Sequence, residues 1–366
     1  MRPHLLLAVL SGCVYISPAE PDAFPADLHR TLDRLLIEEL GKLDAPGATL
    51  GVRLPDGRRW LGAAGSTTPE GHTPMPLEGR FRVGSITKTY HAAAALKLHS
   101  EGTLPLQSTI GDLLPELDGP PGFADITVLQ LLSHQSGVPN YTELTYFLTQ
   151  YDQPHTPEEV IALSLEGGLR FEPGTDAAYS NTNYYILARM IEATTGQPIH
   201  EVLRGRVLDP LGLDETYLEG PESRPDGIVP GFLNRTPMQA LDPSWHWAAG
   251  GMAAPIDELI TWGHALLASG GDALTQEERL LLFEELAETS DAPTFAYGLG
   301  LQHNQTSCGI VRGHMGSTMG FQSDLFRTET GVIVGVLVND FTREASDIAW
   351  AACEAVDAWI GGDASE

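Results

Sequence analysis

The chain has 366 residues, 42% of them hydrophobic and 19% charged, and its formal net charge is −28. This composition is that of a globular protein with a large core. A chain this acidic has no basic patch to release counterions from phosphates, which argues against binding to nucleic acid and against electrostatic docking on anionic lipid. We interpret the acidity as a solvated surface that favours solubility.

The first residues have the parts of an export signal. Arg2 precedes the apolar run 5–10, and Ser11, Gly12 and Cys13 follow it. Because Leu-Ser-Gly-Cys resembles the lipobox of bacterial lipoproteins, we predict a signal peptide over 1–13, lipidation of Cys13 and a tether over 14–25. The alternatives are an ordinary signal or a mis-assigned start. The predicted location is the bacterial cell envelope, as a periplasmic or outer-surface lipoprotein whose only membrane contact is this anchor. Without lipidation the protein would be secreted.

The segment before residue 84 predicts one helix and two strands. The helix follows residue 25, and the strands lie around 47–53 and 58–65 with a Pro-Asp-Gly turn between them. The apolar face of the helix carries Leu28, Leu32, Leu35, Leu36 and Leu40.

Ser85 and Lys88 stand three residues apart where a helix-forming segment begins after Gly84. Helical spacing places them on one face, which pairs a nucleophilic hydroxyl with a candidate base. The helix N-terminus adds unpaired N–H groups that favour developing negative charge. Ser-x-x-Lys arises by chance in roughly one chain in five with so few lysines, so this motif alone does not establish a site.

The rest of the chain predicts a helical middle and a β-rich end. Helices are predicted at 183–195 and about 255–269, followed by antiparallel strands near 295–303, 309–314, 319–327 and 331–338. A last helix places Ile348, Ala352, Val356 and Trp359 together. We therefore predict an α+β fold, in which one antiparallel sheet is built from both chain ends and is flanked by the N- and C-terminal helices. The domain would span 26–362, with a sheet lobe at about 26–83 and 291–362 and an inserted, mainly helical lobe at about 84–290.

Two further stretches carry candidate chemistry. Tyr179 and Asn181 lie in a loop before the predicted helix 183–195, and a phenol near a lysine ammonium loses its proton more easily than its free pKa of ~10 implies. His314 lies in the glycine-rich segment 313–317, where it can present a cationic or donor side chain at a strand edge. Taken singly, these residues are also typical of packing, capping and turns.

Together, Ser85-x-x-Lys88, Tyr179-x-Asn181 and His314-x-Gly316 resemble the penicillin-recognising serine hydrolases. The similar branch contains class C β-lactamases, D-Ala-D-Ala carboxypeptidases and related esterases, and the resemblance covers about 25–360. It implies a β-lactamase/transpeptidase-like fold and an acyl-enzyme mechanism. Flanking segments are similar as well, at 131–137, 171–174, 179–184, 249–252 and 297–300. Secreted D-Ala-D-Ala carboxypeptidases are the most similar in the late segment, because they also carry Ser-Cys-Gly before His-x-Gly.

The resemblance implies a proton path. Ser85 attacks a carbonyl, and either Lys88 or the phenolate of Tyr179 takes its proton, an alternative that the sequence leaves open. Tyr179 then protonates the leaving amine, and Asn181 holds Lys88 and the substrate amide.

The resemblance also implies roles on the His-x-Gly strand. The N–H groups of Ser85 and Ser317 would form the oxyanion hole, with Gly316 and Met315 beside the substrate. His314 stands where other members carry Lys, and would support the Tyr179 hydroxyl and a substrate carboxylate.

One departure concerns substrate choice. Relatives that cleave D-Ala-D-Ala usually have Thr where this chain has Met315, and some carry an Arg where it has Gln302 and His303. Each lost charged hydrogen bond removes ~1.5–3 kcal/mol of carboxylate binding. Residues that could compensate are Ser317, Thr318 and Arg312.

Cys308 and Cys353 either pair or remain separate buried thiols; we predict a disulfide, which the similar carboxypeptidases also form. The chain has no metal- or nucleotide-binding motif, so no metal and no cofactor are predicted. Trp245, His246 and Trp247 are interpreted equally well as a cleft mouth or as a cap on the core.

The predicted function is an exported serine hydrolase, a D-Ala-D-Ala carboxypeptidase or a related D-amino-acid peptidase or amidase. Its substrate would be a small molecule or peptide, such as a peptidoglycan-like D-amino-acid peptide, an ester or a β-lactam. The alternatives are an esterase, a class C-like β-lactamase, or a non-catalytic penicillin-binding or scaffold protein.

Overall fold

The computed structural model describes residues 15–16 and 24–363, apart from 225–226, 239–240, 285–286 and 289–294. The predicted signal peptide and Cys13 lie outside these described residues. The strands are β1 (Tyr15–Ile16), β2 (Gly47–Arg53), β3 (Arg59–Gly65), β4 (Phe81–Arg82), β5 (Tyr217–Leu218), β6 (Phe232–Leu233), β7 (Thr236–Pro237), β8 (Met252–Ala254), β9 (Ala287–Glu288), β10 (Phe295–Tyr297), β11 (Gln302–Thr306), β12 (Gly309–Thr318), β13 (Phe321–Thr328) and β14 (Ile333–Val338).

The helices of the described chain divide between the two ends and the middle. They are α1 (Ala26–Leu43), α2 (Thr87–Ser100), α3 (Ile110–Leu113), α4 (Val128–Leu132), α5 (Thr145–Thr149), α6 (Pro157–Leu165), α7 (Thr182–Thr195), α8 (Ile199–Leu203), α9 (Trp247–Gly250), α10 (Ile256–Leu267), α11 (Gln276–Leu282) and α12 (Ala345–Asp363). None of them is both long and apolar enough to cross a bilayer.

The main sheet joins the two ends of the chain. Nine strands of the described residues form it in the order β1-β3-β2-β14-β13-β12-β11-β10-β9, and all neighbours are antiparallel. The N- and C-terminal parts meet where Leu50 of β2 lies opposite Val336 of β14. The predicted α+β fold is thereby confirmed. Tyr15–Ile16, within the segment predicted as a tether, pairs with β3.

Helices cover both faces of this sheet. On one face α1 and α12 pack together, because leucines with helical period in α1 and Ile348, Ala352 and Val356 in α12 are all buried in one apolar cluster. On the other face α10 approaches the sheet closely. A Cβ on Gly51 would lie only 2.3 Å from Ile260 of α10, so the glycine permits this contact.

The helix α2 lies at the centre of the helical lobe and positions the Ser-x-x-Lys motif. Ala92, Ala93, Ala94 and Ala95 are fully buried, which is expected of a helix surrounded by other elements on every side. Trp262 of α10 stacks on Tyr90 and donates from Nε1 to Thr89 Oγ1 across 2.9 Å, which fixes α2 against α10. The helix was predicted to begin at Ser85. Instead a 3₁₀ turn spans Gly84–Ile86 and α2 begins at Thr87.

Candidate active site

The turn that carries Ser85 lies directly against β12. Gly84 has φ +51°, a conformation that favours glycine, and a Cβ there would lie 2.7 Å from the backbone nitrogen of Ser317. A Cβ on Gly316 would lie 2.0 Å from the Val83 carbonyl oxygen. Neither position has room for a side chain. The two glycines therefore allow the strand to lie on the nucleophile turn.

Lys88 is fully buried one turn after Ser85, and its Nζ has three polar neighbours. It lies 2.9 Å from Ser85 Oγ, 2.7 Å from Asn181 Oδ1 and 2.7 Å from the Ala249 carbonyl oxygen. Burial lowers the pKa of Lys88 well below its usual value. A neutral amine donates its two N–H groups to the Asn181 and Ala249 oxygens and turns its lone pair to Ser85. The geometry therefore suits a general base.

Tyr179, in the loop before α7, is the second polar neighbour of the Ser85 hydroxyl. Its hydroxyl donates to Ser85 Oγ across 2.8 Å, and its ring centroid lies 5.0 Å from Lys88 Nζ. Burial raises the pKa of Tyr179 above its usual value, although the hydrogen bond with Ser85 opposes this. The protonated phenol is therefore favoured. This weighs against a Tyr179 phenolate as the base and suits the phenol as a proton donor.

The Tyr179 loop is held by His134 and Asn140, to which the sequence assigned no role. His134, itself at φ +58°, accepts at Nδ1 from the Ser180 N–H across 3.1 Å, and its ring lies 4.4 Å from that of Tyr179. Asn140 Oδ1 accepts from the Asn181 N–H across 3.1 Å. The similar segment 131–137 could have pointed to His134. Asn140 carries no such signal.

The edge of β12 is open beside the nucleophile. β11 pairs with β12 from Gly309 to Gly313 only, and beyond that the Met315 N–H donates to the side-chain Oε1 of Gln302 across 2.9 Å. Because strand N–H groups two residues apart point the same way, the Ser317 N–H also points to this edge. The strand predicted near 309–314 extends to Thr318, so the whole segment 313–317 lies inside β12. A developing oxyanion beside Ser85 would meet the Ser317 N–H here.

His314 faces the interior with a different partner from the one expected. Its Nδ1 donates to the Met315 carbonyl, and its Nε2 accepts from the Tyr297 hydroxyl across 2.9 Å. Burial lowers the pKa of His314, and Lys88 lowers it further when that amine is protonated, to about 3, so His314 is neutral rather than cationic. The His314 and Tyr179 rings are 6.3 Å apart. Tyr297, and not the Tyr179 hydroxyl, is therefore the direct partner of His314. Tyr297 lies in the segment 297–300 that resembles the family, and this resemblance could have pointed to it.

Met315 lies on the other face of the strand. Side chains alternate along β12, so Met315 points away from His314, and its Sδ lies 3.7 Å from Ser346 Oγ at the start of α12. The Oγ of Ser317, on the same face, accepts from Gln322. The expectation that the Met315 side chain borders the substrate is corrected accordingly. Met315 and Ser317 therefore face the cleft with their backbone groups and not with their side chains.

Cys308 and Cys353 are joined in a disulfide with Cα atoms 6.3 Å apart, which links the turn before β12 to α12. In the described chain, the group with metal-ligand spacing consists of these two cysteines and Asp357. The disulfide engages both sulfurs, so they offer no thiolate to a metal.

Comparisons with known proteins identify the class. The Beta-lactamase family profile matches residues 32–356, so the chain belongs to the β-lactamase family, as its motifs predict. D-aminopeptidase from Gluconobacter oxydans is 26% identical over 310 residues, which cover 82% of this chain and 56% of the relative. The chain thus spans little more than half the length of that enzyme.

Two solved structures are similar over nearly their whole length. D-stereospecific amidohydrolase from Streptomyces sp. has a TM-score of 0.76 and 29% identity, covering 87% of this chain and 97% of the other. D-amino acid amidase from Ochrobactrum anthropi SV3, complexed with L-phenylalanine, has a TM-score of 0.81 and 25% identity, covering 91% and 99%. The chain is a β-lactamase-family serine hydrolase related to D-aminopeptidases and D-amino acid amidases.

Proposed function

We propose that the protein hydrolyses amides or short peptides of D-amino acids through an acyl-enzyme on Ser85. The observation that carries this proposal is the placement of Ser85 Oγ between Lys88 Nζ at 2.9 Å and the Tyr179 hydroxyl at 2.8 Å. A hydroxyl between a buried amine and a partly buried phenol has a group that removes its proton and another that donates one.

Acylation begins with Lys88. The neutral amine takes the Ser85 proton while Oγ attacks the substrate carbonyl, and the oxygen that gains negative charge is stabilised by the N–H groups of Ser85 and Ser317. Asn181 Oδ1 and the Ala249 carbonyl oxygen, each 2.7 Å from Nζ, accept from the ammonium that forms.

Collapse of the intermediate needs a proton on the leaving nitrogen. Tyr179 donates it, since an amine leaves poorly as an anion, and the phenolate that remains is balanced by the Lys88 ammonium. Water then cleaves the ester to Ser85, which returns the free carboxylic acid and restores both protonation states.

Amides are favoured over substrates with a terminal carboxylate. A Thr hydroxyl that assists carboxylate binding in similar carboxypeptidases is replaced by Met315, whose side chain lies beside Ser346. The Ser317 hydroxyl contacts Gln322, and that of Thr318 lies 3.5 Å from His246 Nδ1. D-Ala-D-Ala carboxypeptidase activity is the second candidate, supported by the Ser-Cys-Gly segment and its disulfide.

Export is part of the proposal. A disulfide is typical of proteins outside the reducing cytosol, and Cys308–Cys353 supports export of the chain by its N-terminal signal, with Cys13 as the proposed lipid anchor. Labelling of the expressed protein with a palmitate analogue, with Cys13→Ala as the control, tests the anchor.

One experiment separates the activities. Hydrolysis of D- and L-phenylalanine amide, a D-Ala-D-Ala peptide, a p-nitrophenyl ester and nitrocefin is measured side by side, with Ser85→Ala as the control. We expect the D-amide to have the largest kcat/KM and Ser85→Ala to be inactive. A fluorescent penicillin should give an adduct on Ser85 by mass spectrometry. Equal adducts in the wild type and Ser85→Ala would refute the mechanism.

A further inference from the structure

His246 connects a partly buried charged pair to the strand that carries the Ser317 N–H. It is 2% exposed, its Nε2 lies 3.3 Å from Glu219 Oε2, and its Nδ1 lies 3.5 Å from Thr318 Oγ1. Glu219 in turn accepts two hydrogen bonds from the Arg82 guanidinium, at 2.6 and 3.1 Å. Arg82 lies three residues before Ser85, and Thr318 follows Ser317.

The protonation states of Glu219 and His246 determine which atom is the donor in each of these contacts. Burial alone would raise the pKa of Glu219, but the Arg82 guanidinium and the close approach of the His246 imidazole hold it at about 2, so Glu219 is ionised. Burial lowers the pKa of His246 despite the opposing effect of Glu219, so the imidazole is neutral. A neutral imidazole facing a carboxylate keeps its proton on Nε2. Its Nδ1 is then an acceptor for the Thr318 hydroxyl.

The backbone of His246 reaches the lysine pocket. Its carbonyl accepts from the N–H groups of Ala249 and Gly250, both at 2.8 Å, which orients the one-turn helix α9. The Ala249 carbonyl of that helix is a hydrogen-bond acceptor of Lys88 Nζ. Trp247 has φ +21°, which is unfavourable for a residue with a side chain and persists only where its surroundings enforce it. Local strain therefore lies between His246 and the Lys88 acceptor.

We propose that His246 is a positioning residue, which keeps the oxyanion donor on β12 in register with the Lys88 acceptor on α9. The side chain acts through Thr318 on Ser317, and the backbone acts through Ala249 on Lys88. This inference rests on the proposed acyl-enzyme mechanism. His246 itself does not contact the reacting atoms. Its replacement should therefore misplace the oxyanion donor, while Ser85, Lys88 and Tyr179 are all retained.

The test compares a tetrahedral ligand with a planar one. A boronic acid that adds to Ser85 occupies the oxyanion hole, whereas the D-amino acid product does not form a tetrahedral adduct. In His246→Leu and Thr318→Val we expect kcat and boronate affinity to fall about 10–100-fold, because loss of a whole oxyanion donor costs about 10²–10³ in kcat. KM and product affinity should change little. Thr318→Ser, which keeps the hydroxyl, should restore the boronate affinity.

Two further measurements separate positioning from folding. His91→Gln is the matched control, because His91 is also buried but its Nδ1 contacts the Thr87 carbonyl of its own helix and not β12 or α9. This variant should lower Tm without changing the ratio of boronate to product affinity. The double variant His246→Leu/Thr318→Val should lose less than the sum of the single losses.

The outcomes distinguish the two proposals. The positioning role alone is overturned if the wild type is active and both His246→Leu and Thr318→Val keep the wild-type kcat and boronate affinity per folded molecule. If His246→Leu does not fold, Thr318→Val, a smaller change, decides the same question. A wild type that neither hydrolyses any of the substrates nor forms a Ser85 adduct overturns the proposed function and this inference together.

Discussion

The hydroxyl oxygens of Tyr179 and Ser85 are 2.8 Å apart, and the phenol is the donor. Tyr179→Phe removes the proton for the leaving group without changing the shape of the site. We expect kcat/KM for a D-amino-acid amide to fall about 10²–10⁴-fold. A p-nitrophenyl ester should lose far less, since p-nitrophenolate leaves without a proton. Equal losses for the two substrates would assign Tyr179 another role.

Lys88 should destabilise the fold while supporting catalysis. Its folded pKa is depressed, so between that pKa and its ordinary value near 10.5 the unfolded chain binds one more proton, and stability falls as the pH falls. Lys88→Met should be inactive. The unfolding free energy of Lys88→Met minus that of wild type should increase by about 1.4 kcal/mol per pH unit as the pH falls through this window, because only wild type loses stability there.

Urea unfolding at pH 7 and pH 10 measures this effect. Lys97→Met, on the same helix, is the matched control and should keep the activity. A stability difference between Lys88→Met and wild type that is the same at both pH values would show that Lys88 is charged in the fold.

The acid limb of the pH–activity profile should belong to Lys88. Activity requires its neutral amine and is therefore lost as the pH falls below its depressed pKa. His314, with a pKa of about 3, is neutral throughout the working range. The acid limb of the pH profile of kcat/KM should therefore persist in His314→Gln, even if this variant is slower than wild type. Its disappearance in that variant would mean that His314 titrates during catalysis.

Asp324 is a buried carboxyl behind the catalytic strand, opposite Met315, and its Oδ2 has no hydrogen-bond partner among the described residues. Burial raises its pKa to about 8, with Glu344 and Asp347 adding to the effect and Ser346 opposing it. Between its ordinary value of 3.8 and about 8 the folded state binds the extra proton, so stability falls as the pH rises.

Asp324→Asn should remove this dependence. We expect its stability advantage over wild type to grow from pH 4 to pH 8 and then level off, as measured by urea unfolding. Asp347→Asn, an exposed change nearby, serves as the comparison. An advantage for Asp324→Asn that does not vary with pH would place the Asp324 pKa outside this window.

The disulfide should stabilise the sheet lobe. Cys308 and Cys353 are 45 residues apart in sequence, and closing such a loop in the unfolded chain corresponds to about 4 kcal/mol. Cys308→Ala/Cys353→Ala should lose stability of this order but keep kcat, because Ser317 lies at the other end of β12. Reductant should lower the Tm of wild type and not of the double variant. Equal responses to reductant would exclude the bond.

Much of the fold could be predicted because its elements have regular periods. The leucines of α1, the turn between β2 and β3, and the apolar face of α12 each carry a local signal that the structure confirms. The length of β12 was underestimated. Gly313 and Gly316 suggested a turn, whereas they are strand positions where backbone or side-chain atoms of neighbouring segments approach too closely for a Cβ.

The sequence indicated the motif residues of the site, but it did not indicate the residues and backbone groups that hold them in place. Ser85, Lys88, Tyr179 and Asn181 are brought together, and their catalytic roles stay predictions until activity is measured. Tyr297 as the partner of His314 and the Ala249 carbonyl as an acceptor for Lys88 were not foreseen. Such contacts join segments far apart in sequence, and a backbone carbonyl has no residue type to recognise.

The pairing of β2 with β14 sets an order of events in folding. Ser85 and the Ser317 N–H are more than two hundred residues apart, and β12 reaches the N-terminal strands only through β13 and β14. A growing chain that has produced the whole helical lobe still lacks the oxyanion strand and the sheet that holds it. Non-local pairing of this kind forms late and slowly. Hydrolytic activity should therefore report synthesis of the chain through β14, because a product that ends before β12 contains Ser85 but lacks the Ser317 N–H.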